Sequence, residues 1–470
     1  MSFKSVVVLG GGPIGLMCAI DAKQNFVKKV TIVEKRQAYT RTNVPQLQNE
    51  IVKHLKDLGL KDTLWAGRQA GDSVAFAKIE GALWNKAQQT GVRMERGYVI
   101  EGLIGRDPKP DGFYKSMTLV LKEWDDKAKA SPKYGKGKTL DCDLLVVASG
   151  GGAASDPVLQ KLGFAFEKLK AKNYGAFGIF NPDVPDGSQA DPALKSQVAG
   201  ITKPIVPPSG RIGFSTPDHN YLLVTLAGCT KSDFKYLQTN SEKLKELLLA
   251  VGKTVGTAVL NDIKQVQKNL AVFKIAVVRA RQFYSDKYPA VIVGDAAVTP
   301  HPEAGSGIGT GFKGFQELQK LFQALRHTHR SEDNTALFLK FNESYELHVS
   351  RKALEGTDIV LRNLTNMLET FKADVEKFRQ AAKGKALKKM AEDFRGIIQG
   401  LIDEMAEERR QAREFINTLN GLTPKLDWDA TVGKLWKQIN STYAQVKQLT
   451  ADISLLDSRL KELESKIQFA

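Results

Sequence analysis

The stretch GDAAVTPHPEAGSGIGTG, Gly294–Gly311, decides how this chain is read. A short apolar run, Val291–Val293, ends in Gly294-Asp295, and eleven residues after Gly294 the series Gly305-x-Gly307-x-Gly309-x-Gly311 begins. Glycines at that density let backbone approach a ligand closely, and the helix they open turns free amides and a positive dipole end toward it. A second glycine cluster, GGGPIG at Gly10–Gly15, follows the β-branched run Phe3–Leu9. From Pro13 the pattern is helical to about Phe26, and Val30–Val33 forms another buried run ending in Glu34. Strand, glycine turn, helix and strand make the beta-alpha-beta unit of a dinucleotide fold. Gly10 makes the tight turn, Gly12 admits a pyrophosphate, Pro13 opens the helix, and Gly15 lets helix and strand pack closely.

Glu34 stands 19 residues after Gly15, where a carboxylate accepts hydrogen bonds from an adenosine ribose. It also repels a 2′-phosphate, which leaves FAD or NAD. The second glycine series narrows this to FAD. Asp295 is placed to accept from the ribityl chain. Gly307 and Ile308 are further cofactor-site candidates, and the helix from about Gly309 would point its N-terminus at the flavin pyrimidine, favouring negative charge on the reduced ring.

The segment VEKRQAYTRTNVPQLQNEIVKHLKDLGLKDTLWAG, Val33–Gly67, resembles the corresponding part of the MICAL family, flavin monooxygenases that oxidise actin methionines. Gly294–Gly311 is similar, in register, to that family and to the wider aromatic-hydroxylase-like (group A) flavoproteins. The resemblance covers most of residues 1–110 and 285–315. It implies that Lys35 and Arg36 belong to the cofactor site and that Arg41 and Asn43 lie beside the flavin or its pyrophosphate. It also implies a monooxygenase reaction, with NAD(P)H as a candidate electron donor. Two departures leave the donor open. Ala148-Ser149-Gly150 stands where the class carries Ala-Asp-Gly, and Ala77-Lys78 where it often carries Arg.

The expected fold class is α/β: a Rossmann-like FAD-binding domain with an inserted mixed-sheet substrate domain, then an all-α helical bundle. Residues 1–330 form the flavoprotein part, with cofactor-binding pieces at about 1–165 and 275–330 and a substrate-side sheet at about 165–275. Within that sheet Tyr174, Phe177 and Phe180 are candidates to line the active site, or ordinary core aromatics. His301, inside the flavin loop, is either an active-site lining residue or a structural histidine. No catalytic base is otherwise indicated, and no metal-ligand spacing occurs. Residues 331–470 are strongly helical. Leu449, Ile453, Leu456, Leu460, Leu463 and Ile467 form a short apolar seam that fits a bundle or a coiled coil joining another copy or a protein partner.

Residues 331–470 carry 22 basic and 22 acidic side chains, so the whole net charge of +16 belongs to residues 1–330. That excess suits an anionic cofactor and a small-molecule or acidic protein substrate. The lysines are scattered without interleaved aromatics, which argues against nucleic acid. No apolar run of about 18 residues predicts a membrane span. Three scattered cysteines fit a reducing, cytoplasmic setting. Two other functions remain open beside oxygenation: a flavin-dependent reductase or dehydrogenase of a small apolar molecule, and a flavin-bound binding module whose helical tail is the interaction surface.

Overall fold

The structure is a computed structural model. It describes residues 3–41, 45, 47–66, 74–109, 113–125, 137–168, 174–180, 209–214, 220–226, 231–245, 248, 266–301, 307–327, 333–381 and 385–420. The expected sites Asn43 and Gly305 and the apolar seam Leu449–Ile467 lie outside the described residues.

Five short strands make one parallel sheet. They are β1 (Ser5–Leu9), β2 (Lys29–Glu34), β3 (Arg93–Arg96), β7 (Leu144–Val147) and β14 (Ala290–Ile292), in the order β14-β7-β1-β2-β3. Every pairing between neighbours is parallel. β1, β7 and β14 are buried throughout, which is why their sequences are apolar runs without alternation. From β1 the chain moves to one side through β2 and β3, then returns to the other side at β7. The β1/β7 boundary is therefore a topological switch point, and the crevice beyond the carboxyl ends of these strands is the expected place for a ligand.

Two smaller antiparallel sheets accompany it. One is β4 (Tyr98–Pro108), β5 (Tyr114–Glu123) and β6 (Gly137–Cys142); the other is β8 (Phe166–Lys168), β13 (Val278–Ala280) and β15 (Val298–Thr299). Among the helices, Pro13–Asp21 and Gly307–His327 cross where side chains are smallest. A Cβ on Gly311 would stand 2.8 Å from Ile14 Cγ1, and one on Gly294 3.4 Å from Ile14 Cγ2. The glycines at these positions thus serve packing.

Two compact units emerge. One comprises Met1–Tyr174 and Phe273–Leu419, the other Gly175–Val272 and Asn420–Ala470. The first unit runs past the expected boundary at residue 330, and particular contacts explain why. The Tyr345 hydroxyl, fully buried, accepts from the Gly294 amide at 3.0 Å. Arg279 of β13 bonds Glu167 at 2.8 Å and also pairs with Glu346. The helices Arg351–Ala381 and Lys385–Asn420 then run antiparallel, joined by Arg409–Asp358 at 3.0 Å, Arg395–Glu376 at 3.0 Å and Arg379–Glu392 at 3.3 Å. At their base Val277, Leu354, Ala412 and Ile416 form a shared apolar cluster. The second unit contains a four-stranded sheet, β10 (Ser209–Phe214), β11 (Asn220–Leu226), β9 (Tyr174–Phe180) and β12 (Val266–Lys274), in that order.

Candidate functional site

At the carboxyl end of β1, Gly10 adopts φ +107°, and a Cβ there would lie 2.4 Å from the Ala148 carbonyl oxygen. A Cβ on Gly15 would lie 2.0 Å from the Gly10 oxygen. Neither position tolerates a side chain. Gly12, the N-cap residue before Pro13, faces open space, with Glu80 Oε1 4.0 Å from a built Cβ as the nearest atom. The turn is thus closed behind and open in front. That is the shape of a pyrophosphate cradle at a helix N-terminus, and the residues present fit FAD.

Charged groups surround it. Glu34 accepts from the Gly11 amide at 2.6 Å, from the Arg36 amide at 2.9 Å and from Arg36 Nε at 3.0 Å. Burial raises its carboxyl, but the Arg36 side chain and the two amides outweigh burial and hold it below the usual carboxylate range. Tyr39 donates its hydroxyl to the Gly11 oxygen at 2.6 Å, so both faces of the turn are tied to the segment after β2. Arg41 is half-exposed and pairs with Glu80 at 3.7 Å; its carbonyl accepts from the Ala77 amide at the start of helix Phe76–Gln89. Glu80 lies on that helix, fully buried, and is also 3.5 Å from Arg36. Burial pushes its carboxyl up against the opposing pull of Arg41 and Arg36.

Asp295 follows β14 in a short 3-10 turn. Its residue surface is open to solvent, yet the protein mass around the carboxyl raises it, with Arg41 opposing. A Cβ on Gly307, the first residue of helix Gly307–His327, would be 3.9 Å from Asp295 Oδ1. Three segments distant in sequence therefore converge: the glycine turn, Arg36–Arg41, and Asp295 with the helix start at Gly307, Ile308 and Gly309.

Other expected residues sit elsewhere. Lys35 is exposed and sets its Nζ 5.5 Å from the Trp124 ring. His301 is 1% exposed, and its amide donates to Thr357 Oγ1 at 3.2 Å on helix Arg351–Ala381. Tyr174 is half-buried at the start of β9; Phe177 belongs to the same strand, with its side chain outside the description. Lys78 is exposed, so the cations at the turn are Arg36 and Arg41. Glu80 and Tyr39 were not expected. Glu80 was legible in principle, because it occupies an apolar-face position in the sequence Phe76, Glu80, Leu83, Ala87. Among the described residues no group of three or more His, Cys, Asp or Glu could hold a metal ion, and no helix is long and apolar enough to cross a membrane.

Residues 5–64 match the family model of the pyridine nucleotide-disulphide oxidoreductases, which spans the beta-alpha-beta unit. The [F-actin]-monooxygenase mical1 of Danio rerio is 30% identical over 169 residues, 35% of this chain and 12% of that protein. The chain thus matches a small part of that relative's length. Among solved structures, p-nitrophenol 4-monooxygenase PnpA from Pseudomonas putida DLL-E4 gives a TM-score of 0.52 at 14% identity, covering 89% of this chain and 99% of that one. The flavin-dependent brominase Bmp2 gives 0.55 at 16% identity, covering 88% and 99%. The likeness to these solved structures, at under 25% identity, shows a shared fold. Ser149 follows β7 and backs onto Gly10, and among the described residues its buried hydroxyl has no hydrogen-bond partner.

Proposed function

We propose that this protein is an FAD-dependent monooxygenase that oxygenates a small-molecule or acidic protein substrate, with NAD(P)H as electron donor. The observation that carries the reading is that the Asp295 turn and the helix start pack on the glycine turn, with Cβ positions on Gly294 and Gly311 3.4 and 2.8 Å from Ile14, while Gly12 beside them stays open. FAD, when bound, supplies the redox and oxygen-transfer chemistry. The chain's own residues do the rest. Gly12 and the amides of helix Pro13–Asp21 seat the diphosphate, and Arg41 supplies a cationic clamp. Glu34 holds the turn in shape, and Asp295 accepts from the ribityl hydroxyls. The start of helix Gly307–His327 faces the ring end with its positive dipole. In this reading His301 supports the flavin loop from behind. The C-terminal helices are a bundle that serves self-association or a protein partner.

A second reading, a reductase or dehydrogenase of a small apolar molecule, is favoured by one observation: Ser149 carries no charge where the wider class has Asp. Anaerobic titration of the flavin-loaded protein with NADPH and with NADH separates the two. Bleaching by either nicotinamide, followed by oxygen consumption exceeding peroxide release when substrate is present, supports the monooxygenase. Bleaching with no oxygen incorporated into any product supports the second reading. No bleaching with either nicotinamide contradicts the assigned donor.

A further inference from the structure

Glu80 is not explained by the cofactor seat as described. It is fully buried, and among the described residues neither carboxyl oxygen has a hydrogen-bond partner. Its compensation is two ion pairs, both on Oε1, with Arg36 at 3.5 Å and Arg41 at 3.7 Å. A carboxylate held this loosely is costly to bury. Its position is equally pointed, since Oε1 is the nearest atom to the open face of Gly12. A diphosphate arriving at the turn meets a like charge in Glu80 and a half-exposed cation in Arg41.

We propose that Glu80 is the counter-charge the diphosphate replaces: Arg41 rests on Glu80 before FAD enters, transfers to the diphosphate, and Glu80 takes a proton from solvent. This rests on the FAD reading above.

The neighbouring groups leave Glu80 as the one free to titrate at the turn. Glu34, Arg36, Tyr39 and Arg41 are the charged or titratable groups that act on it. Glu34 is held low by Arg36 and the two amides, and burial with the nearby Glu34 charge pushes the Tyr39 phenol far up. Neither changes charge near neutral pH. Helix Pro13–Asp21, packed on the other side, has one charged residue, Asp21, at its far end, bonded to Asn25 and Gln319. On helix Lys61–Trp65, Lys61 and Asp62 are exposed. Asp295 lies at the ring end and is the only competing acid at the site among the described residues, so the test must separate it from Glu80.

Calorimetric titration of the apo-protein with FAD, in two buffers of different ionisation enthalpy between about pH 6 and 8.5, reads the proton directly. The expected result is uptake of up to one proton per FAD and a Kd that rises with pH, approaching about tenfold per pH unit. The isosteric Glu80→Gln is expected to bind FAD with no uptake from this site and a flat Kd, tighter than wild type at the alkaline end. FAD binding by wild type without proton uptake overturns the proposal and leaves the FAD reading intact. Uptake that survives in Glu80→Gln assigns the proton to another group such as Asp295 and also overturns it. Weaker FAD binding by Glu80→Gln at every pH overturns it too, since it makes Glu80 a direct acceptor for the cofactor. Absence of any FAD binding by wild type removes the reading beneath it.

Discussion

The end of β2 and the first turns of helix Phe76–Gln89 each bring one buried carboxylate to the same glycine turn, and the two are treated oppositely. Glu34 accepts four hydrogen bonds, two from amides and two from the Arg36 guanidinium, so its charge is answered. Glu80 has two long ion pairs and, among the described residues, no hydrogen bond. Burial acts on both in the same direction; the difference is made by donors within bonding distance. One carboxylate is therefore part of the scaffold, while the other is a charge stored where the ligand goes.

The comparison can be broken at several points. The largest effect is expected at the turn itself. Gly15→Ala puts a Cβ about where the Gly10 oxygen already stands and should cost about 3 kcal/mol in urea unfolding, the upper end of overpacking penalties. Gly12→Ala is the matched control, because its Cβ meets only Glu80 Oε1 at 4.0 Å; it should fold normally and bind FAD poorly.

A smaller effect separates the two acids. Glu34→Gln should lose about 2 kcal/mol at neutral pH, as expected for charge-assisted bonds in a buried site. Glu80→Gln should lose no more than about 0.5 kcal/mol. Their pH profiles should differ in sign. The folded-state value of Glu34 lies below its unfolded one, so its contribution is present above the unfolded carboxyl range and disappears as pH falls through the folded value. Glu80 is raised, so its contribution is complete below the unfolded range and is lost as pH rises through the folded value. Chemical denaturation from acid to neutral pH should show the Glu34→Gln deficit closing toward acid. Over the same range Glu80→Gln should gain on wild type as pH rises. Parallel profiles would mean that the two carboxylates share one environment.

Much of this architecture could be read from the residues because the relevant relationships are short. The Val-rich run before Gly10, the helix opened by Pro13 and the acid closing β2 lie within 30 residues, and each is constrained by its own backbone. Asp295 was readable for the same reason, as it ends a buried strand and precedes a glycine-rich helix start. What escaped depends on contacts between distant segments. Nothing near Tyr345 indicates that its hydroxyl caps the Gly294 amide, and nothing near Thr357 indicates that it holds His301. Those two bonds draw the helices after residue 330 into the compact unit of the cofactor site. Glu34 was read as a ribose acceptor from its position at the strand end. In the fold its oxygens answer Gly11 and Arg36, a duty that spacing alone does not reveal.

The most direct measurement is the flavin content of the purified protein after reconstitution and gel filtration, read from the absorbance of cofactor released on denaturation. Wild type should retain FAD at one per chain, and Asp295→Ala should lose most of it while remaining folded by circular dichroism. A wild-type protein that retains no flavin, or an Asp295→Ala variant that keeps it stoichiometrically, would contradict the assignment of the cleft.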